Sequence, residues 1–232
     1  MADKSILNPF NPFDLMDVET KRLLEFFDGL DAKGWTKDTR CEGWRRREIA
    51  AHLAAGETYN HACLDDRVKE LFEEAARNGA TDLNGFNDWT VRIREHKTAE
   101  DVVMEWRGAN ARTREEFRKR GLDGTLPTSV GPYPIDLQAF HLASEYATHA
   151  DDMGVAVPDS ERYQRLGWRL AFSRFAVQEA EKPAEIESRN GKNTVRAAGK
   201  EIVLSDEDFV EAVAGRLKTI DDDLQDALRA LA

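Results

Sequence analysis

Residues 134–154 read PIDLQAFHLASEYATHADDMG, and within them His141, Glu145 and His149 follow one another at intervals of four. Read as a helix that Pro134 opens and Gly154 closes, the stretch sets the three side chains on one face. Four residues rise about 6 Å along a helix, so the two histidines lie about 12 Å apart and one ion cannot take both. A metal would use His141 with Glu145, or Glu145 with His149, plus a donor from another segment. The alternative is an amphipathic helix whose histidines are ordinary half-buried residues.

The chain around this helix has 232 residues, 41% of them hydrophobic and 33% charged, which reads as globular, with one large or two small domains. No apolar run is long enough to span a bilayer, and the start, MADKSILNPFNPFDL, lacks the pattern of a signal peptide. A membrane partner is therefore not expected. The net charge of −11 argues against a nucleic-acid partner, and Arg45-Arg46-Arg47 reads as a solvated helix turn. Two cysteines, Cys41 and Cys63, are too few for a disulfide scaffold and point to the cytoplasm. No CxxC, Walker-type loop or GxGxxG supports a nucleotide cofactor.

Upstream, the doubled NPF of residues 8–13 reads as a lead-in that packs its phenylalanines against a bundle, or as a displayed adaptor ligand. Helical spacing of Leu15, Val18, Leu23, Leu24, Phe26 and Phe27 predicts a first helix from about Asp14 to Leu30. Residues 34–43 read as a loop. A second helix is expected from Arg45 toward residue 75, with His52 facing the core among small residues and His61 facing solvent. Residues 77–97 read as a long connection in which Trp89 lines a pocket or covers the core. A third helix is expected from Thr98 to about Lys119, and residues 121–133 read as a Gly- and Pro-rich loop.

Past Pro158 the pattern changes. A helix from about Ser160 to Glu181 is followed by short strands around Asn190-Gly191. One last helix is then expected, with Phe209, Val213, Leu217 and Ile220 on its apolar side. Arg216, seven residues after Phe209, would share that side and pair with a carboxylate, of the protein or of a ligand.

Two stretches carry a resemblance. CEGWRRREIAAHLAAGE around His52, with ASEYATHADDMG around Glu145 and His149, resembles the DinB-like metalloenzymes, and more closely the mycothiol-dependent maleylpyruvate isomerase family. The likeness implies a mainly α fold: a DinB-like four-helix bundle over residues 1–157 and a small α+β C-terminal domain over 158–232. Carried over residue by residue, it implies His52, Glu145 and His149 as metal ligands, with His141 one turn away as a pocket or second-layer group. Two nitrogens and one carboxylate oxygen suit Zn²⁺ with an open position, and nickel or another divalent ion by ligand type. Two departures are Arg45, where relatives often carry a Thr or Ser, and Ala150, where they often carry a longer polar residue.

The resemblance further implies mycothiol as thiol cosubstrate and a small electrophilic or unsaturated acid as substrate, handled by a monomer or homodimer. In the isomerase form the thiolate adds to a cis-ene dicarboxylate, the adduct rotates, and the thiolate leaves. Arg216 would clamp a substrate carboxylate. In the S-transferase form the sulphur stays on an electrophile. A metal-binding stress or interaction protein without thiol chemistry is the reading from another class.

Overall fold

The structure is a computed structural model and describes residues 2–231. It divides into two compact units, Pro12–Val155 and a second made of the first eleven residues with everything from Ala156 onward.

The first unit is helical. Pro12 opens α1 (Pro12–Asp28), where the missing N–H costs nothing, and Met16, Leu23 and Phe27 are buried from it. A single turn, α2 (Ala32–Trp35), lays Trp35 on Phe27, ring centroids 5.4 Å apart. In α3 (Arg46–Leu64), Glu48 reaches back to accept the Arg45 N–H at 3.1 Å, so the N-terminus is satisfied although Arg45 makes no side-chain cap.

The expected second helix is two. It stops at Leu64, Asp66 turns into the left-handed region at φ 55°, and α4 (Val68–Arg77) follows. The expected long connection contains another helix, α5 (Leu83–Arg92), whose cap is the Asp82 carboxylate accepting from Gly85 N. Trp89 packs with Phe86, Leu71 and Ala75, and so covers the core.

Thr98 caps α6 (Ala99–Arg120). The supposed loop that follows is a hairpin, β1 (Thr125–Thr128) against β2 (Gly131–Pro134), and it leads directly into α7 (Ile135–Asp152).

One buried carboxylate ties three of these helices together. Glu57 of α3 is 1% exposed. It accepts from Tyr146 Oη (2.5 Å), Thr113 Oγ1 (2.5 Å), Asn110 Nδ2 (2.9 Å) and Asn60 Nδ2 (3.3 Å). Four neutral donors satisfy two oxygens without a cation. Burial, then the Glu57 charge, push the Tyr146 phenol well above its ordinary value, so it remains a donor.

In the second unit a 3-10 turn (Lys4–Leu7) lies on α8 (Asp159–Glu179), with Asp3 N donating to Gln178 Oε1 at 2.9 Å. The sheet runs β3 (Glu185–Arg189), β4 (Lys192–Ala197), β5 (Lys200–Ser205), all antiparallel. Asn190 and Gly191 both take positive φ at the first turn, as a two-residue hairpin loop requires. Val195, Leu204, Phe209 and Val213 are among the residues of its core.

The expected last helix is broken. The helix α9 (Asp206–Val213) ends where Gly215 adopts φ 70° and Arg216 N bonds back to Glu211 O at 2.7 Å, and α10 (Asp222–Leu228) begins afresh. Arg216 therefore does not share a helical side with Phe209. Phe13 is buried in the first unit, as the lead-in reading expects, whereas Phe10 belongs to the second.

Candidate metal centre

The helix α7 supplies the site's main residues because its ends are fixed. Pro134 presets the backbone ahead of the first turn, and past the other end Gly154 takes φ 74° while Val155 N returns to Ala150 O at 2.9 Å. Glu145 and His149 are thereby neighbours on one face, and His52 approaches them from α3.

Both imidazoles turn Nε2 onto the same oxygen: His52 Nε2 lies 2.7 Å and His149 Nε2 3.1 Å from Glu145 Oε1. The rings meet edge to face with centroids 4.9 Å apart. One donor atom from each of the three lies within 4.8 Å of the others. His52 Nδ1 is buried without a hydrogen-bond partner, and Trp44 covers that imidazole at 5.0 Å between centroids.

His149 is gripped from behind as well. Its Nδ1 lies 3.0 Å from Asp152 Oδ2, Cys41 Sγ is 3.2 Å from the same oxygen, and Arg40 Nε donates to Asp152 Oδ1 at 3.0 Å. The loop carrying Cys41 is pinned there by Arg40 N donating to Asp152 O at 3.1 Å and by Gly43 at φ 79°. Cys41, His149 and Asp152 form a second cluster of donors. It sits on the Nδ1 side of the ring, where a carboxylate that orients a ligating histidine belongs.

Charges follow from this packing. Burial alone would raise the Glu145 carboxyl, but the His149 charge and the bonds from both histidines outweigh it and hold the group well below the usual range. Burial alone would lower the His149 imidazole. The Glu145 charge and the Asp152 hydrogen bond outweigh that too, and hold it well above 6.5. The arrangement suits a divalent ion: two nitrogens and an oxygen already face one point, and a cation would replace the protons that now mediate the contacts.

A cavity of about 280 Å³ opens over His52 and Glu145. Its walls include Leu53, Leu142, Phe72, Phe86, Tyr59 and Tyr146.

Of the residues expected from the sequence, His52, Glu145 and His149 come together. His141 is half-buried, with its Nε2 3.2 Å from the hydroxyl of Tyr133 on the hairpin, and it is not among the cavity's lining residues. Arg216 lies in the other unit, where its Nη1 donates to Ala214 O at 3.1 Å. His61 does not face solvent as expected: it is half-buried against α6, with Nε2 3.0 Å from Ala109 O. Asp152 and Cys41 were not anticipated. The interval of three from His149 to Asp152 is a helix-neighbour signal that could have revealed the first. Nothing local reveals Cys41, which comes from 108 residues away.

Comparison with known proteins bears on the same elements. The family profile described as Mycothiol maleylpyruvate isomerase N-terminal domain matches residues 16–154, more than half of the chain. No curated protein gives a significant match. Among solved structures, the crystal structure of the mycothiol-dependent maleylpyruvate isomerase superposes with a TM-score of 0.61 at 15% identity, covering 88% of each chain. An H52A mutant of that enzyme gives 0.59, with the same identity and coverage. The likeness establishes a shared fold across both units.

Proposed function

The chain belongs to the mycothiol maleylpyruvate isomerase N-terminal domain family, and from that premise we propose that it is a metal-dependent enzyme that activates mycothiol. The observation that carries this reading is the convergence of His52 Nε2 and His149 Nε2 on Glu145 Oε1 at the edge of a cavity. Zn²⁺ is the ion we assign, by donor type and by the open side toward the cavity. When bound, it would stabilise as thiolate a thiol that is otherwise mostly protonated at neutral pH.

The protein's own residues do the rest. His52, Glu145 and His149 hold the ion, and Asp152 fixes the tautomer and tilt of His149. Leu53, Leu142 and Phe86 give the centre an apolar border on its cavity side. We assign His141 to a supporting role beside the Tyr133 hydroxyl. The reaction is cis–trans isomerisation of an unsaturated acid, with the sulphur added and then released, so the substrate keeps its composition. A reducing cytoplasm is the location that suits Cys41 and Cys63, neither of which is in a disulfide. Among the described residues no helix is long and apolar enough to cross a membrane.

One observation favours a second reading, S-transfer to an electrophile that retains the sulphur. The cavity wall has no lysine or arginine among its lining residues.

Elemental analysis with mycothiol calorimetry, on wild type and His52→Ala, tests the proposal. The expected result is one divalent ion and one thiol per chain, both lost in the variant. Metal without thiol binding would leave a metal-binding protein of another role, and no metal would remove the basis of the reading.

A further inference from the structure

We infer that the cavity beside His52 and Glu145 selects a substrate bearing an uncharged, ring-sized apolar group rather than a small dicarboxylate. The identity of the reaction rests on the thiol-activating reading above, whereas the binding preference rests on the cavity alone.

Charge comes first. Among the lining residues Glu145 is the only acid and there is no lysine or arginine; the other polar groups are His52, Asn87, Ser129 and the hydroxyls of Tyr59 and Tyr146. A dicarboxylate entering here would find no lysine or arginine on the walls, so at least one of its two charges would shed its hydration unpaired, which is expensive. An apolar ring gives up nothing comparable.

Unmatched apolar surface comes second. Phe72 is 37% exposed and Leu83 63% exposed, on α4 and α5, and both line the cavity with the buried Phe86. Apolar side chains gathered at a concave opening are surface that a ligand would cover.

Size and shape agree. The volume of about 280 Å³ is roughly twice that of an engineered apolar cavity that holds benzene, so a one- or two-ring group fits. Gly56 lines the same space, and a Cβ added there would meet nothing within 4 Å. Its φ is not positive, so neither packing nor backbone conformation demands glycine inside α3, where it costs about 1 kcal/mol against alanine. The open wall is what it provides.

The test uses unreactive probes, so that binding is read without thiol chemistry. In calorimetry on the full-length protein, 2-naphthol should bind and maleate should neither bind nor compete. Gly56→Leu, which fills the space, should weaken 2-naphthol roughly tenfold or more while retaining metal and helical circular dichroism. Leu83→Lys, at an exposed position that folding does not need, should also weaken 2-naphthol. Maleate binding with no 2-naphthol binding would overturn the inference and leave mycothiol activation standing. So would 2-naphthol binding unchanged in both variants. If 2-naphthol binds as expected but no thiol does, the cavity preference holds and the thiol-activating reading is what fails.

Discussion

His149 and Asp152 stand three residues apart on α7 and are joined by a 3.0 Å contact between Nδ1 and Oδ2. That contact decides which nitrogen of the ring is turned toward Glu145. Replacing the carboxylate with an amide keeps the shape but removes the charge that orients the ring. Asp152→Asn should weaken metal binding about 10- to 100-fold with the helical signal intact, measured by competition against a chromophoric chelator. Unchanged affinity would mean that Asp152 anchors the loop of Arg40 and Cys41 rather than orienting His149 for the ion.

The three converging donors should fail one by one. His52→Ala and His149→Ala should each lose the ion and keep their circular dichroism. His61→Ala and His96→Ala should keep it. His61 gives up one hydrogen bond to Ala109 O, so a stability loss of about 1 kcal/mol, without metal loss, is the expected signature.

Stability and metal binding should respond to pH in opposite ways. The Glu145 carboxyl lies below its ordinary 4.5, so its stabilisation is complete above that value and is lost as pH falls through the lowered one. The His149 imidazole lies above its ordinary 6.5, so its stabilisation is complete below that value and is lost as pH rises through the raised one. The pair therefore stabilises the metal-free protein fully between pH 4.5 and 6.5. An ion needs His149 neutral and competes with its proton. The rise in melting temperature on adding Zn²⁺ should grow steadily from pH 6 to 8, and a flat profile would contradict the charge state of His149.

The two thiols should separate by reagent. Burial pushes the Cys63 thiol up to about 11, so it stays protonated and shielded at pH 8, whereas Cys41 is partly exposed. Intact-mass analysis after iodoacetamide treatment should find one adduct on the folded protein, at Cys41, and two after denaturation.

Glu57→Gln should be costly because it turns one acceptor of the buried carboxylate into a donor facing donors. At least one of Tyr146, Thr113, Asn110 and Asn60 loses its partner. Each stranded group costs about 1–3 kcal/mol, read as a lowered denaturation midpoint.

The i, i+4 spacing puts Glu145 beside either His141 or His149, and the family resemblance, not the spacing, singles out His52, Glu145 and His149, the three that converge. Pro134 and Gly154 bound α7, and Gly56 lies on the side of α3 that faces the cavity. What the sequence hid was held in place by tertiary contacts. The break between α3 and α4 rests on Asp66, a non-glycine residue at positive φ, which propensity does not flag. The hairpin at 125–134 carries Pro127, Pro132 and Pro134 in its strands, so it reads as loop. Beyond α9 the apolar spacing runs on through Leu217 and Ile220, past the true end that Gly215 marks at φ 70°. Cys41 reached the centre through a loop whose anchor, Asp152, looks from the sequence like an ordinary acid at a helix end.

The turn at Lys4–Leu7 belongs with α8, although all of Pro12–Val155 is made between them. On a ribosome adding about 5–20 residues per second, the first segment waits roughly 10–30 s for the surface on which Leu7 is buried. The bundle can complete itself during that interval. A chain cut short after the bundle would still hold His52, Glu145 and His149, yet Leu7 would lack the α8 surface against which its turn packs.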